Sequence, residues 1–146
     1  MILHIPHAST FIPEEFREQF VLSKQELDHE LLMMTDAYTR DLFSAGRKKY
    51  EKLVFPVSRL VLDPERFVDD SKENMSKIGM GVIYEKAHNG KILRRSIKKD
   101  EREKLLNDFY YPHHAALARL VNKALEQEGR ALIVDCHSFP SVPLPY

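Results

Sequence analysis

Ala131-Leu132-Ile133-Val134-Asp135-Cys136-His137-Ser138 is the stretch whose reading decides the fold. Its apolar run predicts an interior strand of a parallel sheet, covered on both faces, that stops abruptly on a carboxylate, a thiol, an imidazole and a hydroxyl. Ligands of such sheets bind beyond the carboxyl ends of the strands. If the strand runs through Cys136, side chains alternate, so Asp135 and His137 point one way and Cys136 the other. His137 is therefore the first candidate for a site residue.

The chain reaches this strand through a helical stretch from Asp100 to Glu128, with Leu105, Leu106, Phe109, Leu117, Leu120, Val121 and Leu125 on its buried side. Tyr111-Pro112 interrupts it, with Pro112 suited to the first turn of a second helix, and Gly129 ends it. At the other end of the chain, Met1-Ile2-Leu3-His4-Ile5 reads as a first strand closed by Pro6. His7 then sits just past a strand, as His137 does, and the two converge if their strands are neighbours. Pro6 argues against a helix that would place His4 and His7 on one face, so His4 is read as a packing residue.

Between these ends, Ser23 and Glu26 have capping-box spacing. Leu27, Leu31, Met34, Tyr38 and Leu42 mark a helical apolar face up to Gly46, with a break near Thr35. Met33 and Met34 read as core packing. Asp36 neighbours the apolar stripe: either it caps a second helical segment with Thr35, or its carboxylate points into a cleft. Residues 52–57 and 58–63 read as extended segments around Pro56. The polar loop 64–74 follows, bracketed by Arg59 and Arg66, and 79–94 reads as a hairpin turning at Asn89-Gly90.

The 146 residues, 43% hydrophobic and 30% charged, fit about one globular domain. With 22 basic against 22 acidic residues, no net field favours nucleic acid or an anionic membrane. The basic run 91–104 is interrupted by acids and reads as a solvated face. The lone Cys136 cannot form an internal disulfide, and no secretory signal or membrane-length apolar run is evident, so a cytoplasmic protein is expected. A Cys136–His137 nucleophilic pair fails because strand neighbours diverge, although His113 or His114 could approach the thiol from elsewhere. Ser138 lacks a glycine-flanked elbow, and the five glycines form no phosphate-binding loop. What remains is two loop-edge histidines, Asp36 and a loop framed by arginines. Two histidines and a carboxylate form a common zinc ligand set, though their spacing here does not itself show one.

Ile5-Pro6-His7-Ala8-Ser9 with Ile12-Pro13, Ser58-Arg59-Leu60-Val61 with Asp63 and Arg66, Tyr111-Pro112-His113-His114, and Asp135-Cys136-His137-Ser138 together resemble the N-formylglutamate amidohydrolase family. The resemblance implies an α/β fold like that of the zinc carboxypeptidases, a mixed, largely parallel sheet flanked by helices. It makes His7 and His137 ligands of Zn2+. Carboxypeptidases carry a glutamate three residues after the first histidine, where this chain has Thr10. Asp36 takes that place as the acidic residue best placed near the apolar face of the first helix. Arg59 and Arg66 would hold substrate carboxylates, with salt bridges to Asp63, Asp69 or Asp70 as their structural alternative. Ser138 would also contact substrate, and Asp135 would support the ligands from behind.

The implied reaction is zinc-dependent hydrolysis of an N-acyl amino acid, a small-molecule substrate, with N-formyl-L-glutamate giving formate and L-glutamate. Family members are considerably longer, and carboxypeptidases take their catalytic base from well beyond the last zinc histidine. Residues 1–146 are therefore expected to be the N-terminal part of a longer domain and an incomplete copy of the fold, with the general base beyond Tyr146. Glu14, Glu15 and Glu85 are local acids without a motif behind them. The alternatives are an inactive ligand-binding or regulatory domain of the same fold, and a fragment that needs a missing segment.

Overall fold

The computed structural model describes residues 1–43 and 50–142. Gly46, expected to end the first long helix, lies outside the described residues, as do residues 44–49 as a whole and 143–146. Three short parallel strands form the sheet, in the order β2-β1-β3: β1 (Ile2–Ile5), β2 (Glu51–Val54) and β3 (Ile133–Asp135). β1 is central and wholly buried. Its register sets Ile2 against Glu51 and Ile133, and His4 against Leu53 and Asp135. Phe55 N–H donates to Ile5 O at 3.0 Å and Cys136 N–H to His4 O at 2.8 Å, so the ladder carries the chain past each strand end toward the same rim.

The expected alternation along the last strand holds. Val134 and Cys136 pack with Leu3 and Ile5 in a small apolar cluster, while Asp135 turns to the other face, where His4 lies. The expected interior position does not hold. Among the described residues β3 pairs only with β1, and Leu132 and Ile133 are 59% and 41% exposed. Every sheet pairing described is parallel, so the expected mixed character is absent among these residues.

α1 (Glu14–Arg17) is a single turn that buries Phe16. α2 (Lys24–Met34) starts at the expected capping box: Ser23 Oγ accepts from Glu26 N–H, and the Glu26 carboxylate accepts from Ser23 N–H. It stops at Thr35, which is extended, and a separate turn, α3 (Thr39–Leu42), follows Tyr38 at φ 62°. That break rotates the stripe out of register, leaving Tyr38 and Leu42 exposed rather than buried.

The larger core gathers Leu27 and Met34 of α2, Phe55, Val57 and Leu60–Leu62, Met80, Val82 and Tyr84, and Leu105 and Leu106. Residues 58–63 form buried turns, not the expected extended segment: Val61 N–H donates to Ser58 O at 2.9 Å. The buried Arg94 guanidinium donates to the carbonyls of Leu60 and Val61 and pins this turn from below. The expected hairpin over 79–94 reduces to isolated bridges, Met80 with Tyr84 and Lys86 with Ile92, around Gly90 at φ 82°. The polar stretch before it ends in a 3₁₀ turn over Asn74–Ile78.

α4 (Lys99–Leu105) passes through a π-helical turn at Leu106–Tyr110 into α5 (Tyr111–Glu128), so the expected interruption is a change of helical pitch with Pro112 in the first turn of α5. Gly129 at φ 67° closes α5, where a left-handed residue is needed. Only His113 of α5 is fully buried; Leu117, Leu120 and Val121 are half-covered, and Leu125 is 46% exposed. Among the described residues no helix is long and apolar enough to cross a membrane.

Candidate metal centre

Two strand ends and one helix end meet at the rim of the sheet. His7 lies just past β1 and His137 just past β3, and because these strands are hydrogen-bonded neighbours, the two imidazoles stand with ring centroids 5.3 Å apart. Asp36 follows the extended residue that terminates α2. Its N–H donates to His7 O at 3.0 Å, which ties the helix end to the first loop. Of the two roles open to Asp36, its side chain takes the cleft: Oδ2 lies 2.8 Å from His137 Nδ1 and 4.0 Å from His7 Nδ1.

Behind His7 sits Asp63, fully buried. It accepts from His7 Nε2 at 2.9 Å, Arg59 Nη2 at 2.7 Å, the Tyr84 hydroxyl at 2.7 Å and Glu65 N–H at 3.0 Å. Burial would raise its pKa, but the His7 hydrogen bond and the Arg59 charge outweigh burial and hold the carboxyl well below the usual range. An ionised Asp63 accepts only, so His7 carries its proton on Nε2 and presents the Nδ1 lone pair forward. That Nδ1 is buried and has no hydrogen-bond partner. A buried, unpartnered imidazole nitrogen facing a carboxylate and a second imidazole is the arrangement a metal ligand requires, with Asp63 fixing tautomer and ring orientation.

Glu65 lies 3.4 Å from both His7 Nε2 and His137 Nε2. Hydrogen bonds to Asp36 and then Glu65 push the His137 pKa up to about 10. The Asp36 and Glu65 carboxylates beside this ring thus favour a positive charge between them. Three groups of side chains bring ligand atoms within 4.8 Å of one another: His7, Asp36 and His137; His7, Asp63 and Glu65; and His4, Glu65 and Asp135. In the second, His7 Nε2 and Asp63 are already spent on each other. In the third, Asp135 and His4 are paired at 2.6 Å, as His137 and Asp36 are at 2.8 Å in the first. Only the first contains the unpartnered nitrogen.

These residues open onto a cleft of about 660 Å³ that Arg59, Arg66, Tyr84, Ser138 and several methionines also line. Arg59 donates to Asp63 and, at 3.2 Å, to the Tyr84 hydroxyl. Burial opposes its charge, but Tyr84 and Asp63 hold its pKa above the ordinary value. Arg66 is looser: Nε lies 3.7 Å from Asp63 and Nη1 3.9 Å from Glu73, and Nε is buried without a hydrogen-bond partner. Of the expected salt-bridge alternatives, Asp63 is therefore the one both arginines face. Ser138 Oγ donates back to Ala37 O at 2.7 Å, so its hydroxyl proton is engaged within the chain. Met33 and Met34, expected only to pack, line the cleft as well.

Three expectations need correction. Asp135 bonds neither His7 nor His137; its partner is His4, whose Nδ1 is 2.6 Å away. His4 is more than a packing residue, because its Nε2 also meets His113 Nε2 at 2.8 Å. His113 and His114 do not engage Cys136, whose Sγ contacts Val134 O while His114 donates to Pro64 O. Of the local acids, Glu14 is 93% exposed and Glu85 lines a different cavity. The carboxylate that does reach the cleft, Glu65, was hidden in an aperiodic polar loop, and its only signal was a position between Asp63 and Arg66.

The family model for N-formylglutamate amidohydrolase matches residues 1–146. The chain belongs to the N-formylglutamate amidohydrolase family. Within that family, an N-formylglutamate deformylase from Pseudomonas putida is 26% identical over 145 residues, covering 97% of this chain and 52% of that protein. The crystal structure of N-formylglutamate amidohydrolase from Ralstonia eutropha JMP134 superposes with a TM-score of 0.82 at 24% identity, over 95% of this chain and 53% of that one. The chain shares the α/β fold of that structure and spans about half the length of both proteins.

Proposed function

We propose that this chain carries the metal half of a zinc-dependent amidohydrolase site for N-acyl amino acids, of which N-formyl-L-glutamate is the substrate class named for its relatives. The observation that carries this reading is the buried, unpartnered His7 Nδ1 facing Asp36 and His137. His7 Nδ1, His137 Nδ1 and an Asp36 oxygen would hold zinc, a donor set of the kind found where zinc also takes water or substrate. When bound, zinc supplies Lewis-acid polarisation of an acyl carbonyl and acidifies water. Asp63 keeps the His7 proton on Nε2, and Glu65 does the same for His137 from its far side. Arg66, held less closely than Arg59 by its carboxylate neighbours, would take a substrate carboxylate.

A second reading, a site that binds metal and ligand without turnover, is favoured by one observation. Among the described residues lining the cleft, the carboxylates are Asp36 and Glu65, and both already face the imidazoles. Neither stands free to accept a proton from water. Formate release from N-formyl amino acids by the zinc-loaded chain separates the two. Zinc-dependent release lost in Asp36→Asn supports hydrolysis. Zinc and ligand binding without release supports the second reading, and absence of zinc binding overturns both.

A further inference from the structure

The π turn at Leu106–Tyr110 uses one residue more than an α-helical turn, with Tyr111 N–H reaching back to Leu106 O. That extra residue decides which side chains share a face. An α-helix turns about 100° per residue, so on an unbroken helix Tyr110 and His114 would stand about 80° and 120° round from Arg102. With one residue absorbed by the wider turn, both fall within about 20° of the Arg102 direction.

The shared face meets the backbone of the polar loop. Arg102 Nη2 donates to Val68 O at 2.6 Å, the Tyr110 hydroxyl to Arg66 O at 3.1 Å and His114 Nε2 to Pro64 O at 2.9 Å. Three alternate carbonyls of the loop are thus taken in order by one helix. Pro64 and Arg66 are the two neighbours of Glu65, and the Tyr110 and His114 rings that hold their carbonyls lie against each other, with centroids 4.3 Å apart. The loop belongs to no strand or helix, so its carbonyls find no ladder of their own. The Glu65 side chain meets the candidate metal centre, 3.4 Å from both His7 Nε2 and His137 Nε2.

We infer that Tyr110 and His114 are positioning residues of this centre: by holding the carbonyls on either side of Glu65, they fix its carboxylate against the Nε2 sides of His7 and His137. A side chain on a loop keeps such a place only when its support is itself locked by hydrogen bonds. This rests on the amidohydrolase reading above and extends that site to a helix whose residues do not line the cleft.

The test is zinc affinity of the full chain, measured by competition with a chromophoric chelator, with urea unfolding of each variant alongside. Glu65→Ala is expected to weaken zinc about 10–100-fold, as loss of a partner behind a ligating imidazole does. Tyr110→Phe combined with His114→Phe keeps both rings, removes both donors and should weaken zinc about tenfold in the folded protein. Adding Glu65→Ala to that pair should then change affinity by no more than about twofold, because the carboxylate is already out of place. If the paired variant unfolds, the same cycle on Tyr110→Phe alone decides. Losses that multiply would show that Tyr110 and His114 act independently of Glu65 and overturn the inference. Unchanged zinc affinity in the phenylalanine variant, or in Glu65→Ala, overturns it too and leaves the amidohydrolase reading standing. Failure of the parent chain to bind zinc overturns that reading itself.

Discussion

Two histidine clusters stand at the same sheet, three residues apart along β1 and its exit loop, and they differ in one respect. His4 is closed: Nδ1 pairs with Asp135 at 2.6 Å, Nε2 meets His113 at 2.8 Å, and neither ring has a buried nitrogen without a partner among the described residues. His7 is open: Nε2 is satisfied by Asp63 while Nδ1 is buried, unpartnered and turned toward Asp36 and the cleft. The first arrangement uses imidazoles as buried polar struts, the second holds one in readiness. On the proposed metal reading, what separates His4 from His7 is the state of the second nitrogen, which depends on partners far away in the chain.

The comparison is broken most severely at Asp63. Asp63→Ala removes the acceptor of the buried Arg59, Tyr84 and His7 groups, and breaking such a buried network from one side costs about 3–5 kcal/mol. Urea unfolding checks it, and the same variant should bind zinc about 10–100-fold more weakly if Asp63 orients His7. Unchanged zinc affinity in the folded variant would put Asp63 outside the site.

Arg94→Ala comes next. It leaves the buried carbonyls of Leu60 and Val61 without the donor that pins the turn carrying Arg59 and Asp63. Loss of about 2–3 kcal/mol is expected on unfolding, since each orphaned carbonyl carries a desolvation penalty. A loss under about 0.5 kcal/mol would mean that the turn holds itself.

The sequence made some of this legible and some not. Local signals were sufficient for β1, the Ser23 capping box, Pro112 and Gly129, because each is decided by neighbours within a few residues. His7 and His137 were legible as strand-end histidines, since the parallel pairing of β1 with β3 needs only their order and length. Leu60-Val61-Leu62 misled, because an apolar run reads as a strand whether its backbone bonds a ladder or a buried arginine from residue 94. The role of His4 was hidden for a related reason: Asp135 and His113 lie 131 and 109 positions away in the chain. The apolar face of α5 is only half-covered, a fact helical periodicity cannot give, since it shows an apolar stripe without showing what lies against it.

The closed cluster gives two smaller predictions that sharpen the contrast. His4→Phe strands His113 and Asp135 and should cost about 1–3 kcal/mol of stability while leaving zinc affinity unchanged. A fall in zinc affinity would show the two clusters to be one site. Burial, then the neighbouring His4 and His114, lowers the His113 pKa from 6.5 to about 4. The unfolded chain therefore takes up this proton first as pH falls, so the contribution is full above about pH 6.5 and is lost progressively down to about pH 4. The expected size is about 1–2 kcal/mol, and unfolding of His113→Phe should show a correspondingly flatter pH dependence across that window. An unchanged slope would exclude His113 as its source.

The central claim is that His7, Asp36 and His137 hold a metal, and zinc titration of the chain tests it most directly. The account predicts one zinc per chain, released by chelator, with affinity reduced at least about 100-fold in His7→Ala, Asp36→Asn and His137→Ala. A chain that binds no zinc, or one whose zinc affinity is untouched by these substitutions and lost instead in His4→Phe, would contradict it.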